Sequence, residues 1–196
     1  AFLSQIKKYH TLALFSVVRL HHIQAMLNLR QVLEAGVNAS YGLANPNEKD
    51  FVVEGKDGIL DTSETLDKKR RQWVETNHSK HSDFIKNMKN SINKSCAHSN
   101  IIYTFNNFSM ADYKFNTDFF DKGEEHHVKA DLWMIGNIAL GLMDLFYGIN
   151  KTVNQLTFVD GFVRRLKALE ADGNILKAKA EKHPRFQPFI KKKENK

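Results

Sequence analysis

The chain has 196 residues, 42% of them hydrophobic, and a formal net charge of +7. This length and apolar content fit one globular domain that buries a core without staples. The single cysteine, Cys96, excludes an internal disulfide framework and favours a reducing, cytoplasmic location. The positive charge is concentrated in residues 160–196, which hold eleven Lys and Arg against five Asp and Glu.

The first predicted element is one long helix from about Phe2 to Leu43. This stretch contains no proline and repeats apolar residues every three to four positions. Pro46 ends the helix, because the residue before a proline is pushed out of the α region. Residues 46–62 are rich in turn-forming residues and predict a long loop.

Two helices and a hairpin are predicted in the middle of the chain. A capping box formed by Asp61 and Glu64 opens a charged helix that runs to about Asn77. An apolar stripe predicts a second helix over residues 82–99. Residues 101–121 are rich in β-branched and aromatic residues and predict a short β-hairpin.

Two more helices are predicted towards the C-terminus. The first covers residues 124–150, and its most apolar run, residues 132–149, predicts a core helix or a dimer interface rather than a membrane span. The second covers residues 153–171, and Gly173 in the sequence Asp-Gly-Asn is expected to stop it.

These elements predict a mainly α-helical fold, a bundle of four to five helices with one small β-hairpin. The bundle is expected to occupy residues 1–183 as a single domain. Residues 184–196 are expected to form a basic C-terminal tail.

A charged pair lies inside the first predicted helix. Arg30 and Glu34 are four residues apart and can touch, and His22 lies on a nearby part of the helix surface. If the helix that carries His98 is a neighbour, Arg30, Glu34 and His98 form one polar cluster. A functional interpretation is a general base beside a cation for phosphate. The structural interpretation, which we favour, is an ion pair that fixes helix register.

Two Glu-x-x-His elements match one element of di-iron bundles and are candidate metal ligands: Glu75 with His78, and Glu124 with His127. A full site also needs a lone glutamate from each of two further helices. Glu34 is a candidate for one of them, but the second is missing. We therefore predict no metal and no cofactor, and keep a metal-binding bundle as a third hypothesis.

Arg71 and His78 have the Arg-x(4–6)-His spacing of HEPN ribonucleases, in which a dimer brings two such pairs onto RNA. They are therefore candidate catalytic residues. Seven arginines and nine histidines in a chain of this length produce about one such spacing by chance, so the motif adds little alone.

Nucleic-acid binding is indicated by the basic C-terminal part, because Lys and Arg side chains neutralise phosphates. The chain lacks a Walker-type glycine loop, a Gly-x-Ser-x-Gly elbow and a GxGxxG motif, which argues against nucleotide-dependent and α/β-hydrolase chemistry. The candidate nucleic-acid-binding residues are Arg164, Arg165, Lys167, Lys191, Lys192 and Lys193.

Three motifs together carry a resemblance: the segments His21 to Ala35, Ser40 to Pro46, and Ser95 to Ser99, followed by a phenylalanine-rich hairpin and a long apolar helix. Over roughly residues 9–150 the chain resembles bacterial helical-bundle proteins of HEPN-like architecture, some of them from phage-defence or toxin–antitoxin systems. The resemblance implies an α-helical, dimeric protein of the bacterial cytoplasm. It also makes Arg30, Glu34 and His98 candidate site positions.

Three functions remain open from the sequence. The favoured one is a homodimeric helical bundle without enzymatic activity, which acts through protein or nucleic-acid contacts of the basic C-terminal part. The first alternative is a metal-independent ribonuclease that uses His98 or His78 as its base. The second is a di-iron or other metal-binding bundle.

Overall fold

The structure, a computed structural model, describes residues 1–55, 57–96, 108–111, 114–121 and 125–184. The fold is mainly α-helical, as predicted, and the helices in these ranges are α1 (Phe2–Val18), α2 (His22–Ala44), α3 (Glu64–Asn77), α4 (Ser79–Cys96), α5 (Glu125–Val153) and α6 (Phe162–Glu181). Two short antiparallel strand pairs accompany them: β1 (Val53–Glu54) with β2 (Leu60–Asp61), and β3 (Phe108–Ala111) with β4 (Lys114–Thr117).

The single long helix predicted at the N-terminus is wrong, because the chain turns between α1 and α2. Leu20 adopts a left-handed backbone conformation with φ of 57°. Asp121, from a distant part of the chain, holds this turn: its N–H donates to the Leu20 carbonyl at 2.8 Å, and its carboxylate accepts from the His22 N–H at 2.6 Å. Asp121 therefore caps the first turn of α2, a contact that the local sequence does not reveal.

Helix α2 lies at the centre of the bundle and packs against α1, α3, α4 and α5. Its apolar stripe is fully buried at Leu29, Val32 and Leu33. Gly36 brings α2 close to α5, since a Cβ atom at this position would lie 2.6 Å from a methyl carbon of Leu142. The core thus forms mainly between α2 and α5, with α1 and α4 packed alongside.

The predicted loop at 46–62 contains a short 3₁₀ turn, Glu48–Asp50, and the β1–β2 pair. The predicted cap at Asp61 is wrong, because Ser63 caps α3 by accepting from the Leu66 N–H at 3.2 Å.

A buried arginine of α3 ties this connection to the bundle. The Arg70 guanidinium donates to Asn38 Oδ1 at 2.8 Å, to the Asp50 carbonyl at 2.7 Å and to Asp67 Oδ1 at 3.3 Å. It also lies over the ring of Phe51. Because Arg70 is only 3% exposed, these bonds are what makes its burial tolerable.

The predicted hairpin is confirmed within residues 101–121. Strands β3 and β4 pair in register, with Phe108 opposite Thr117 and Ala111 opposite Lys114. Residues 101–107 lie outside the described part of the chain.

Helices α5 and α6 form an antiparallel pair at one side of the bundle. Three contacts fix their alignment: the His126 ring stacks on His183 at 4.7 Å between ring centroids, Trp133 Nε1–H donates to the Gly173 carbonyl at 3.0 Å, and the Tyr147 ring lies against Phe162. The helix predicted at 153–171 is misplaced, because α6 begins at Phe162 and ends at Glu181. Gly173 lies inside α6 instead of ending it, and its carbonyl accepts the hydrogen bond from the Trp133 indole.

Helix α5 is long and apolar enough to cross a membrane, judged by length and composition alone, with a mean hydropathy of 1.5 in its best window. One third of that window is buried inside the bundle. The prediction that no segment spans a membrane therefore stays a prediction.

Candidate functional site

The Arg30–Glu34 pair forms as predicted and lies between α2 and α4. Arg30 Nε donates to Glu34 Oε1 at 3.4 Å, and Arg30 Nη1 donates to Asn93 Oδ1 at 3.1 Å. Lys89 Nζ donates to the same Glu34 oxygen at 3.0 Å. We call these four side chains, Arg30, Glu34, Lys89 and Asn93, the α2–α4 cluster. Sequence reasoning missed Lys89 and Asn93, although they share one face of α4 as an i, i+4 pair.

The electrostatics of the cluster favour an ionised Glu34. Burial raises the pKa of Glu34, but hydrogen bonds and charge attraction from Lys89 and Arg30 outweigh it, so the pKa lies below the ordinary value of 4.5. A carboxylate held by two cations is a weak proton acceptor at neutral pH. The geometry is that of an ion pair linking two helices.

His98, the third predicted member of the cluster, lies outside the described residues. The described helix before it, α4 up to Cys96, packs against α2. The place of His98 beside Arg30 and Glu34 stays a prediction. His22 contacts a different carboxylate: its Nδ1 lies 2.5 Å from Asp131 Oδ2, between α2 and α5.

The Arg71 and His78 side chains make their contacts in different places on α3. Arg71 forms an exposed ion pair with Asp67 at 2.6 Å, one turn towards the N-terminus. His78 follows the last residue of the helix and packs against the Trp73 ring. Burial and the neighbouring His81 lower the pKa of His78, which favours a neutral imidazole at pH 7.

A histidine–carboxylate pair that sequence reasoning missed connects α4 and α5. His81 Nε2 lies 2.9 Å from Asp144 Oδ2. A carboxylate that orients an imidazole is one element of acid–base sites. The two residues are 63 positions apart, so no local pattern could have revealed the pair.

The predicted metal-ligand elements do not come together in the described part of the chain. Within the ranges that the structure describes, no group of three or more His, Cys, Asp or Glu side chains is placed to hold a metal ion. Glu75 forms an ion pair with Lys86 at 2.6 Å, and His127 packs against His126. Glu124 lies outside the described residues.

The basic residues of α6 face solvent. Arg164, Arg165 and Lys167 are exposed on its first two turns, and none of them forms an ion pair with a described acidic residue. The N-terminus of a helix also carries a partial positive charge. Cations at this end oppose the helix dipole, and the arrangement favours an anion from outside the chain. Lys191, Lys192 and Lys193 lie outside the described residues.

A large groove runs between α5 and α6 and reaches the start of α4. Its volume is about 1200 Å³, and we call it the α5–α6 groove. Apolar side chains of both helices line it, including Leu132, Leu169 and Leu176, and His81 and Asp144 lie at its edge. The groove was not foreseen because it depends on how the last two helices pair.

Comparison with known proteins adds no relative. No family model, no curated protein and no solved structure matches this chain.

Proposed function

We propose that this chain is a homodimeric helical-bundle protein without enzymatic activity that binds nucleic acid, RNA in particular, through its basic C-terminal part. The observation that carries the proposal is the exposed basic group on α6, formed by Arg164, Arg165 and Lys167. We call these three residues the α6 basic group. The basic tail at 184–196 follows α6 in the sequence and carries further positive charge.

Charge and exposure both support phosphate as the ligand of the α6 basic group. Exposed guanidinium and ammonium groups bind phosphate oxygens and release counterions from the nucleic acid. Such contacts position a nucleic acid without reading its sequence. We therefore expect binding that is tolerant of sequence and strongly weakened by salt.

The α2–α4 cluster is the less suitable phosphate site. Arg30 and Lys89 already share the Glu34 carboxylate, at 3.4 and 3.0 Å. An entering phosphate would have to compete with that carboxylate for both cations. The charges of the α6 basic group have no such competitor among the described residues.

The test is a measurement of RNA affinity at several salt concentrations for the full chain and for the triple variant Arg164→Glu/Arg165→Glu/Lys167→Glu. We expect the variant to lose at least about tenfold in affinity and to show a shallower salt dependence, since three phosphate contacts are removed. Deletion of residues 184–196 should weaken binding further.

The matched control reverses three exposed lysines elsewhere, Lys7→Glu/Lys49→Glu/Lys68→Glu, and so changes the net charge by the same amount. It should retain most of the affinity. Equal losses in both triple variants would show that only net charge matters, and unchanged binding in the α6 variant would contradict the proposed site.

A ribonuclease is the second candidate, favoured by His81, which lines the α5–α6 groove, and by His78, which packs against His81. His78 has a lowered pKa, and His81 is oriented by Asp144 at 2.9 Å. Incubation of labelled RNA without added metal, beside His78→Ala, His81→Ala and His98→Ala variants, separates the two functions. RNA that stays intact supports a binding protein. Cleavage that one variant abolishes makes the chain an enzyme and locates its base.

A further inference from the structure

We propose that the α5–α6 groove is filled by α6 of a second copy of this chain, and that the two α6 helices cross in antiparallel orientation. This inference names the surface of the proposed homodimer and rests on the proposed function only for its consequence for nucleic acid. Three features of α6 support the inference: the spacing of its groove-lining residues, its poor burial and the order of its charges.

The spacing of the groove-lining residues on α6 is that of a helix-pairing stripe. Leu169, Gly173, Leu176 and Ala180 recur at alternating steps of four, three and four residues and all line the groove. This is the a and d spacing of helices that pack side by side. The small residues Gly173 and Ala180 alternate with leucines, which allows a second helix to approach closely.

Helix α6 has too little core contact for its apolar content. Leu166 is the one buried residue among the 20 residues of this helix. Leu169 is 54% exposed and Leu176 is 56% exposed, and both line the groove. An exposed apolar surface of this extent indicates an interaction face.

The order of charges on α6 identifies a second copy as the occupant. Glu170 and Asp172 precede the centre of the stripe, and Lys177 and Lys179 follow it. When two such helices cross in antiparallel orientation about the centre of the stripe, Glu170 and Asp172 of each lie beside Lys177 and Lys179 of the partner subunit. Opposite charges on either side of an apolar seam select the partner and its orientation. A nucleic acid or an anionic lipid surface would instead meet the two carboxylates.

A closed, symmetric pair follows from this arrangement, because the same surface is used on both subunits. It has a consequence for the proposed nucleic-acid site. The first turns of one α6, with the α6 basic group, come beside the end of the partner's α6, where Lys182 of the partner subunit lies and the basic tail begins. Each end of the dimer then combines positive charge from two chains, so a monomer holds only part of each site.

The first experiment is sedimentation equilibrium of the full chain over a range of concentrations. We expect a dimer, and we expect Leu176→Glu to raise its dissociation constant on the order of 100-fold, because a charge enters the apolar seam. The matched control is Phe15→Glu, an exposed apolar residue of α1 that should leave the constant unchanged. Circular dichroism of each variant confirms that its helix content is kept.

A charge exchange tests the orientation. Glu170→Lys alone should weaken the dimer, and Glu170→Lys combined with Lys177→Glu should restore it. A wild-type chain that stays monomeric at every concentration, a Leu176→Glu variant as tightly dimeric as the wild type, or an exchange without rescue would overturn the proposal.

RNA affinity measured on the same samples keeps the two proposals distinct. A dimer that dissociates as expected in Leu176→Glu but binds no RNA contradicts the proposed function alone. If the chain is monomeric at every concentration but still binds RNA, and the α6 basic-group variant loses that binding, only the dimer is contradicted.

Discussion

Helices α2 and α6 are of similar length, 23 and 20 residues, yet the bundle buries them to very different extents. Twelve of the 23 residues of α2 are buried, whereas α6 buries one of its 20. The charges of α2 bond to neighbouring helices, as Arg30 does with Asn93 and Glu34 does with Lys89. Those of the α6 basic group face solvent. The Arg30–Glu34 pair, the charged pair most visible in the sequence, is therefore part of the fold. The best candidates for external contacts lie on α6, the helix that buries the fewest residues.

The largest expected difference in the free energy of unfolding is between leucine-to-alanine substitutions on α2 and on α6. Leu33→Ala on α2 should reduce the free energy of unfolding by about 3 kcal/mol, because Leu33 is fully buried and its removal leaves a cavity. Leu176→Ala on α6, measured in urea at a concentration where the chain is monomeric, should cost less than about 0.5 kcal/mol. Similar losses in the two variants would show that α6 belongs to the core of a single chain.

A second comparison uses two adjacent arginines of α3. Arg70→Ala should cost roughly 2–3 kcal/mol in the free energy of unfolding, because it removes three hydrogen bonds from a buried position and leaves their acceptors unpaired. Arg71→Ala should cost less than about 0.5 kcal/mol, since its ion pair with Asp67 is exposed.

Chemical denaturation of the two arginine variants decides between a structural and a functional Arg71. If Arg71→Ala abolishes RNA cleavage while leaving stability unchanged, the ribonuclease hypothesis regains its predicted residue. Equal destabilisation by the two substitutions would contradict the roles assigned to them.

The smallest expected effect concerns the pH dependence of the α2–α4 cluster. The pKa of Glu34 is lower in the folded chain than its ordinary value of 4.5. Its contribution to stability is therefore fully present above pH 4.5 and disappears as the pH falls through the lower, folded-state pKa. The stability difference between wild type and Glu34→Gln should be about 0.5 kcal/mol at pH 7, since the side chain is one-third exposed.

Thermal unfolding of both proteins between pH 7 and pH 3 measures this difference. We expect it to shrink at the acidic end of the series. A difference that grows on acidification would mean that Glu34 is not stabilised by Arg30 and Lys89.

The sequence predicted those parts of the fold that depend on local pattern. Apolar periodicity identified the helical class, and β-branched and aromatic residues located the β3–β4 hairpin. The turn between α1 and α2 was missed, because Leu20 carries no sequence signal for a left-handed residue and the capping Asp121 comes from about one hundred residues away. Gly173 was taken as a helix stop, but α6 continues through it to Glu181, and its carbonyl bonds to Trp133 of α5.

The candidate site was predictable to the same extent. The Arg30–Glu34 contact follows from a spacing of four residues on one helix. Lys89, Asn93 and the His81–Asp144 pair depend on how helices pack, which a single sequence does not encode locally. The exposure of the α6 basic group likewise became visible only when α6 was placed on α5.

The measurement that tests the contrast between α2 and α6 most directly is amide hydrogen exchange of the full chain at a dilute and at a high protein concentration. Protection of α2 should be strong and identical at the two concentrations, because its bonds lie inside one chain. Protection of α6 should rise with concentration, because a second copy covers it. Protection of α6 that already equals that of α2 in dilute solution, and does not change with concentration, would contradict the account.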